Sequence, residues 1–155
     1  MTATESLYAD LKPEIGAIAN PLFELSEKLL QKHGNFLPHA AVLTEEGEVR
    51  LVAATPDTND DVTNSVAVLP LLHDGLRSQA KESALKAIGV AENVTVTLDG
   101  GRPTTAIKVL FEHRLGLTVA LYLPFKKKLL RGYVMGAPFS LQANPEVNAW
   151  PGNAA

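Results

Sequence analysis

The chain has 155 residues, of which 46% are hydrophobic and 20% are charged, a balance typical of one globular domain with a sizeable core. Its formal net charge of −3 at pH 7 argues against binding of nucleic acid. The absence of cysteine excludes disulfides, thiolate nucleophiles, cysteine-ligated zinc and iron–sulfur clusters. We expect a single globular domain over residues 1–143 and a C-terminal tail rich in proline and asparagine over residues 144–155.

The N-terminal segment is acidic and polar, without the basic start and apolar core of a signal peptide. No later apolar run has the length of a membrane span. These two features predict a cytoplasmic protein that has no membrane among its partners.

The first predicted element is helical. Apolar side chains recur at steps of three and four from Leu7 to Leu29, which places them on one helix face. Thr2 and Glu5 have the spacing of a capping box at the start. Because an interior proline removes a backbone hydrogen bond, Pro13 and Pro21 leave two interpretations open. Either one helix is kinked, or two shorter helices form, the second beginning near Pro21.

Two apolar runs around Glu45-Glu46-Gly47 predict a hairpin, since the third loop residue must take the left-handed conformation that glycine allows. With these three residues as the loop, Leu43 faces Val49 across the two strands. One face of the hairpin is then apolar throughout, and His39 lies at its far end.

The next apolar pattern predicts a second helix that begins at Pro70 and ends before Gly89. Its apolar side is formed by Leu72, Leu76, Ala80, Ala84 and Ala87. A short β-branched strand over residues 93–98 is expected to follow.

Another three-residue loop that ends in glycine is predicted at Arg114-Leu115-Gly116. With this loop, Val119 faces Phe111 and Leu121 faces Val109, so both apolar sets share one face. A two-residue loop would place them on opposite faces. Because only the three-residue loop places both apolar sets on one face, this requirement fixes the register of the hairpin.

With a last strand over residues 132–141, the sequence predicts an α+β fold. Its single antiparallel sheet has about five to six strands and two main helices, in the order α-β-β-α-β-β-β. Over residues 5–140 this order resembles the helix–two strands–helix–three strands order of the roadblock and profilin-like folds. The resemblance implies helices packed against an antiparallel sheet.

No G-x-G-x-x-G, P-loop, G-x-S-x-G or H-E-x-x-H motif occurs. Asp57, Asn59 and Asp61 have the alternate spacing of a calcium loop, but Val62 and Val68 stand where such a loop needs glycine and glutamate. We interpret this stretch as a solvated acidic loop. The sequence predicts no metal site, no cofactor and no catalytic residue, which favours a protein without enzymatic activity.

His39 and His113 are candidate binding residues, because the hairpin registers place both on the apolar side of the sheet. A buried imidazole either satisfies its nitrogens by hydrogen bonds inside the core or lines a pocket where its pKa is tuned. The first interpretation is favoured. Glu112 is not expected to share a site with His113, since neighbouring strand residues point to opposite faces.

A cationic turn joins the last two predicted strands. It consists of Lys126, Lys127, Lys128, Leu129, Leu130 and Arg131. Lysines at such turns commonly prevent an open sheet edge from pairing, and this interpretation is favoured. The alternative is a binding site for another protein or an anionic ligand, in which the leucines serve as apolar anchors.

The two leucines of this turn and the single tryptophan, Trp150, are expected to be buried, either in the core of this chain or against another subunit. Together with the absence of catalytic motifs, they predict a non-catalytic binding or scaffold module that self-associates as a homodimer. The alternative function is a small-ligand sensor or small enzyme with a pocket lined by His39 and His113.

Overall fold

The computed structural model describes residues 2–54, 65–97 and 100–153; the acidic stretch at residues 57–61 lies outside them. Three helices and one antiparallel sheet of seven strands form within these residues, which confirms the predicted α+β class. The helices are α1 (Ala3–Asp10), α2 (Lys12–His33) and α3 (Ser65–Glu82). The strands are β1 (His39–Thr44), β2 (Val49–Val52), β3 (Leu85–Thr97), β4 (Pro103–His113), β5 (Thr118–Lys127), β6 (Tyr133–Met135) and β7 (Phe139–Gln142).

The predicted N-terminal helix is two helices. The capping box is confirmed, because the Thr2 hydroxyl accepts a hydrogen bond from the Glu5 N–H (3.1 Å) and the Glu5 carboxylate accepts one from the Thr2 N–H (3.2 Å). The break between the helices lies at Leu11 and not near Pro21. Pro13 occupies the first turn of α2, where a missing N–H costs little, and α2 continues through Pro21.

The sheet has the strand order β2-β1-β3-β4-β5. The outer edge of β5 is shared by two short strands, since β6 pairs with residues 125–127 and β7 pairs with residues 119–122. The single last strand that was predicted is therefore split in two, which raises the strand count above five to six. The observed order also adds α1, so it differs from the roadblock and profilin-like order by one helix and two strands.

Both predicted hairpin registers are confirmed. Leu43 pairs with Val49 in the first hairpin, and the second pairs Val119 with Phe111 and Leu121 with Val109. The loop glycines at positions 47 and 116 have positive φ values of 89° and 95°, as a three-residue loop requires.

The prediction for the second helix is wrong at both ends. α3 begins at Ser65, so Pro70 lies inside the helix and not at its start. α3 ends at Glu82, and β3 begins at Leu85, so Ala84 and Ala87 do not belong to the helix. The reason is that residues 87–91 of β3 are buried on both faces of the sheet, which removes the alternation by which a strand is recognised.

The helices cover the two faces of the sheet. On one, Ile18 and Leu22 of α2 pack against Phe111; this is the α2 face. On the other, Leu72 of α3 and Val147 of the tail pack against the sheet; this is the α3 face. No helix in the described part of the chain is long and apolar enough to cross a membrane.

Candidate functional site

The cationic turn is the tip of the β5–β6 hairpin. Lys126 and Lys127 belong to β5, and the Lys128 N–H donates a hydrogen bond of 2.9 Å to the carbonyl of Gly132. Gly132 has a φ of 83°, a left-handed conformation that closes the loop without steric cost. The tip, residues 129–131, is thus held at its base by the ladder of the two strands.

The leucines of the tip are not buried in the core of this chain. Leu129 is 100% exposed and Leu130 is 96% exposed, more than any other large apolar side chain in the described residues. Within this chain, the expectation that they are buried is therefore wrong.

The cations around the tip are free of salt bridges. Lys126, Lys127, Lys128 and Arg131 are all exposed, and none has a carboxylate within salt-bridge distance among the residues that the structure describes. No neighbouring carboxylate neutralises the charge of an unpaired surface cation, so its electrostatic field is reduced only by solvent and salt. The tip therefore combines two apolar side chains with four accessible positive charges.

Gln31 of α2 anchors the hairpin to the domain. Its Oε1 accepts a hydrogen bond from the Tyr133 N–H, and its Nε2 donates one to the Tyr133 carbonyl, both at 2.9 Å. The Tyr133 ring stands edge-on to Phe125 with 5.6 Å between centroids, and its hydroxyl donates to the Gly34 carbonyl at 3.3 Å. Sequence reasoning missed Gln31, because its partner is 102 residues away.

The end of α2 adds positive charge beside this anchor. Lys28 and Lys32 are exposed, and Lys28 lies three residues before Gln31, on the same side of the helix. The helix that holds the hairpin thus adds two exposed lysines near its C-terminal end, together with the half-buried Glu27.

His39 is a satisfied core residue. Its Nδ1 lies 2.9 Å from the Leu37 carbonyl, which only accepts, so this nitrogen carries the proton. Its Nε2 lies 3.1 Å from the hydroxyl of Ser26, which is fully buried and donates. Burial lowers the pKa of His39 below 6.5, although the backbone hydrogen bonds oppose this shift.

His113 has its own partners on the same face of the sheet. Its Nδ1 accepts a hydrogen bond from the Leu115 N–H, and its Nε2 donates one to the Glu14 carboxylate, both at 3.1 Å. Burial lowers the pKa of His113, and the Glu14 carboxylate partly opposes the shift. Lys86 lies 3.9 Å from the other Glu14 oxygen.

The structure does not bring the two histidines together. His39 pairs with Ala91 and His113 pairs with Ala87, on opposite sides of β3. Four residues along a strand span about 13 Å, and the width of β3 adds to that separation. A single pocket lined by both imidazoles is therefore not supported; ligand binding at either one stays a prediction.

Trp150 packs against its own chain. The tail brings it, half-buried, to the α3 face next to the fully buried Val147. Glu112 holds this tail, because its carboxylate accepts hydrogen bonds from three consecutive backbone N–H groups, at residues 146–148, over 2.8–3.1 Å. As expected, Glu112 faces away from His113. A cavity at the end of β4, lined by these two consecutive residues and by Trp150, measures about 20 Å³ and has room for one water.

No group of three or more histidine, aspartate or glutamate side chains in the described ranges has the arrangement of a metal site. No protein-family model matches the chain, and no curated protein or solved structure resembles it significantly. The candidate site is therefore defined by the chain's own geometry, and its centre is the hairpin tip.

Proposed function

We propose that this protein is a non-catalytic binding module that acts as a homodimer, with the β5–β6 hairpin as its contact element. The observation that carries the proposal is the complete exposure of Leu129 and Leu130 on an anchored hairpin. Apolar side chains that project from an ordered element are typical of residues that another chain covers.

The free energy available at this tip is substantial. Full burial of a leucine side chain contributes about 1.5–3 kcal/mol, so two leucines contribute about 3–6 kcal/mol. The anchoring by Gln31 and Tyr133 reduces the entropy lost when the tip is fixed in an interface. Association itself costs about 4–15 kcal/mol in lost freedom of motion, so the tip supplies part of the free energy of dimerisation and further contacts supply the rest.

Native mass spectrometry of the purified protein tests the proposal. The wild-type chain is expected as a dimer, and the double variant Leu129→Ser/Leu130→Ser as a monomer with unchanged far-UV circular dichroism. The matched control is Leu51→Ser on β2, whose side chain is 55% exposed and lies far from the hairpin; it is expected to remain dimeric. A wild-type monomer at all accessible concentrations rejects the homodimer.

A second candidate function is recognition of an anionic partner by the same turn. It is favoured by the four cations that lack a salt-bridge partner in the described structure. Replacement of all four by glutamine is expected to abolish binding to an acidic probe such as poly-glutamate, and the wild-type affinity should fall as salt is raised. Equal binding by the two proteins contradicts this function.

The alternative of a small-ligand sensor or enzyme at His39 and His113 has weaker support, because each imidazole is buried among its own hydrogen-bond partners. Imidazole resonances followed by NMR test it. Shifts of either histidine upon addition of a small-molecule library would favour this function over the binding module.

A further inference from the structure

A groove runs between α1 and the start of β5. One part, with a volume of about 400 Å³, is lined by Leu7, Leu115 and Leu117 among others. A second part of about 200 Å³ shares Leu117 and is lined by Tyr8 and Leu141. We call the two parts together the α1 groove. It lies at the opposite end of β5 from the hairpin tip.

The sheet edge beside this groove is open. β6 and β7 both pair with β5, and no strand in the described part of the chain pairs with their other side. Val134 and Leu141 on this edge are 50% and 51% exposed. They lie on the same face of the sheet, since their partners on β5 are Lys126 and Ala120. An open edge with exposed apolar residues is suited to pairing with another chain.

Consider a two-fold axis that is normal to the sheet and passes beside Leu123. This axis brings the open β6–β7 edges of two copies together and also relates the hairpin tip of each copy to the α1 groove of the other. The β5 partners of Val134 and Leu141 are each three residues from Leu123, so the axis sets Val134 of one copy opposite Leu141 of the other. Leu129 lies just beyond the C-terminal end of β5, and Leu117 lies just before its start, so the axis brings the tip of one copy to the end of the sheet at which the groove of the other copy lies. The same operation thus joins the two edges and directs each tip toward a groove.

The surfaces that would meet have opposite charge. The hairpin carries Lys126, Lys127, Lys128 and Arg131. Among the described residues that line the groove, Glu5 is the one charged residue, and it is a carboxylate. A contact of one tip with the other would instead oppose like charges, which is unfavourable.

We propose that the second copy of this chain is the occupant of the α1 groove: each hairpin tip docks in the groove of its partner, across a two-fold axis at the β6–β7 edge. This inference rests on the proposed homodimer and assigns its interface. The contact is isologous, so it closes at two subunits and does not propagate. The leucines of both tips in the dimer are then covered, each pair by the groove of the partner.

The chain contains no cysteine, which makes pairwise cross-linking a direct test. Leu115 in the groove and Leu130 at the tip are 60% and 96% exposed, so Leu115→Cys and Leu130→Cys leave the core unchanged. β5 has 10 residues and spans about 33 Å, which prevents a cross-link within one chain. The two single variants have equal mass, so one of them is produced with an isotope label; they are then mixed and treated with a short bis-maleimide.

The expected result is a cross-linked heterodimer of the Leu115→Cys and Leu130→Cys chains, with little product from either variant alone. The matched control mixes Leu51→Cys with Leu130→Cys and should give only background. If the wild-type chain is dimeric by native mass spectrometry but Leu130→Cys links only to itself, or no mixture links, the docking in the groove is overturned and the homodimer stands. A monomeric wild-type chain overturns both.

Discussion

The Glu112 carboxylate accepts a hydrogen bond of 2.8 Å from the backbone N–H of Val147, which lies 35 residues later in the chain. Two neighbouring N–H groups of the tail bind the same carboxylate. Arg77 of α3 holds the tail from the other side, donating a hydrogen bond of 2.9 Å to the Val147 carbonyl. A side chain near the C-terminal end of β4 thereby positions Trp150.

We predict that Glu112→Gln releases this tail. A glutamine amide has one acceptor oxygen and a donor group, so it cannot accept from three N–H groups, and a buried donor without a partner costs about 1–3 kcal/mol. Trp150 is the only tryptophan, and its fluorescence is expected to shift to the red. Urea unfolding should show a lower midpoint.

Glu146→Gln is the control for the release of the tail. Its carboxylate binds Lys108 at 2.8 Å, with the Lys108 side chain 17% exposed, and a glutamine amide oxygen at this position still accepts a hydrogen bond from Lys108. An unchanged emission maximum in Glu112→Gln would show that the apolar contacts of Val147 suffice to hold the tail, and it would contradict the proposed role of the carboxylate.

The two hairpins could be predicted from sequence because strand alternation and a loop glycine fix the register together. Leu43 had to face Val49 once Gly47 closed a three-residue loop. The same reasoning fails for β3, whose residues 87–91 are buried on both faces and carry no alternation. The boundary between α3 and β3 was therefore missed.

The site was predicted only in part for a related physical reason. The sequence singled out the turn at residues 126–131, but whether Leu129 is exposed depends on which other parts of the folded chain lie near the turn. The contacts of Gln31 with Tyr133 and of Glu112 with the tail join residues 102 and 34–36 positions apart. Such pairs follow from the tertiary fold and have no local signature.

We predict that Gly89→Ala destabilises the protein. A Cβ on Gly89 would overlap the Cγ2 methyl of Ile18 and would lie 3.0 Å from a methyl of Leu22. Overpacking of this kind costs about 1–3 kcal/mol, measurable as a lower urea midpoint. In the background of Ile18→Ala the added methyl has room, so the double-mutant cycle should show favourable coupling.

Gly75→Ala is the matched substitution in open space. Gly75 lies inside α3, and in the described part of the chain no atom other than those of its two neighbours and of the adjacent helix backbone lies within 4 Å of where its Cβ would be. Alanine is favoured over glycine in a helix by about 1 kcal/mol, so this variant should be more stable than the wild type. Equal effects of the two glycine substitutions would contradict the tight contact at Gly89.

We predict that the protein loses stability as the pH falls below 6.5. Burial lowers the pKa of His39, His73 and His113 below their ordinary value of 6.5 in the folded chain. The unfolded chain then binds protons at a higher pH than the folded chain does. The stabilisation is therefore complete above 6.5 and is lost as the pH falls toward the folded-state pKa values.

Urea unfolding at pH values on either side of 6.5 measures this effect. His39→Gln removes one of the three groups, so its free energy of unfolding should depend less steeply on pH than that of the wild type. A free energy of unfolding that is constant across this range, or that rises on acidification, would contradict the assigned direction of the shifts.

We predict that Gln31→Ala frees the hairpin without unfolding the domain. The substitution removes both hydrogen bonds to the Tyr133 backbone, and each such bond contributes about 0.5–1.5 kcal/mol. Hydrogen exchange of the Tyr133 amide should therefore become faster, while amides of β3 keep their protection. Lys32→Ala, one position further along the exposed end of α2, is the control and should leave the Tyr133 amide unchanged. Equal protection of this amide in Gln31→Ala and the wild type would mean that the β5–β6 ladder alone orders the hairpin.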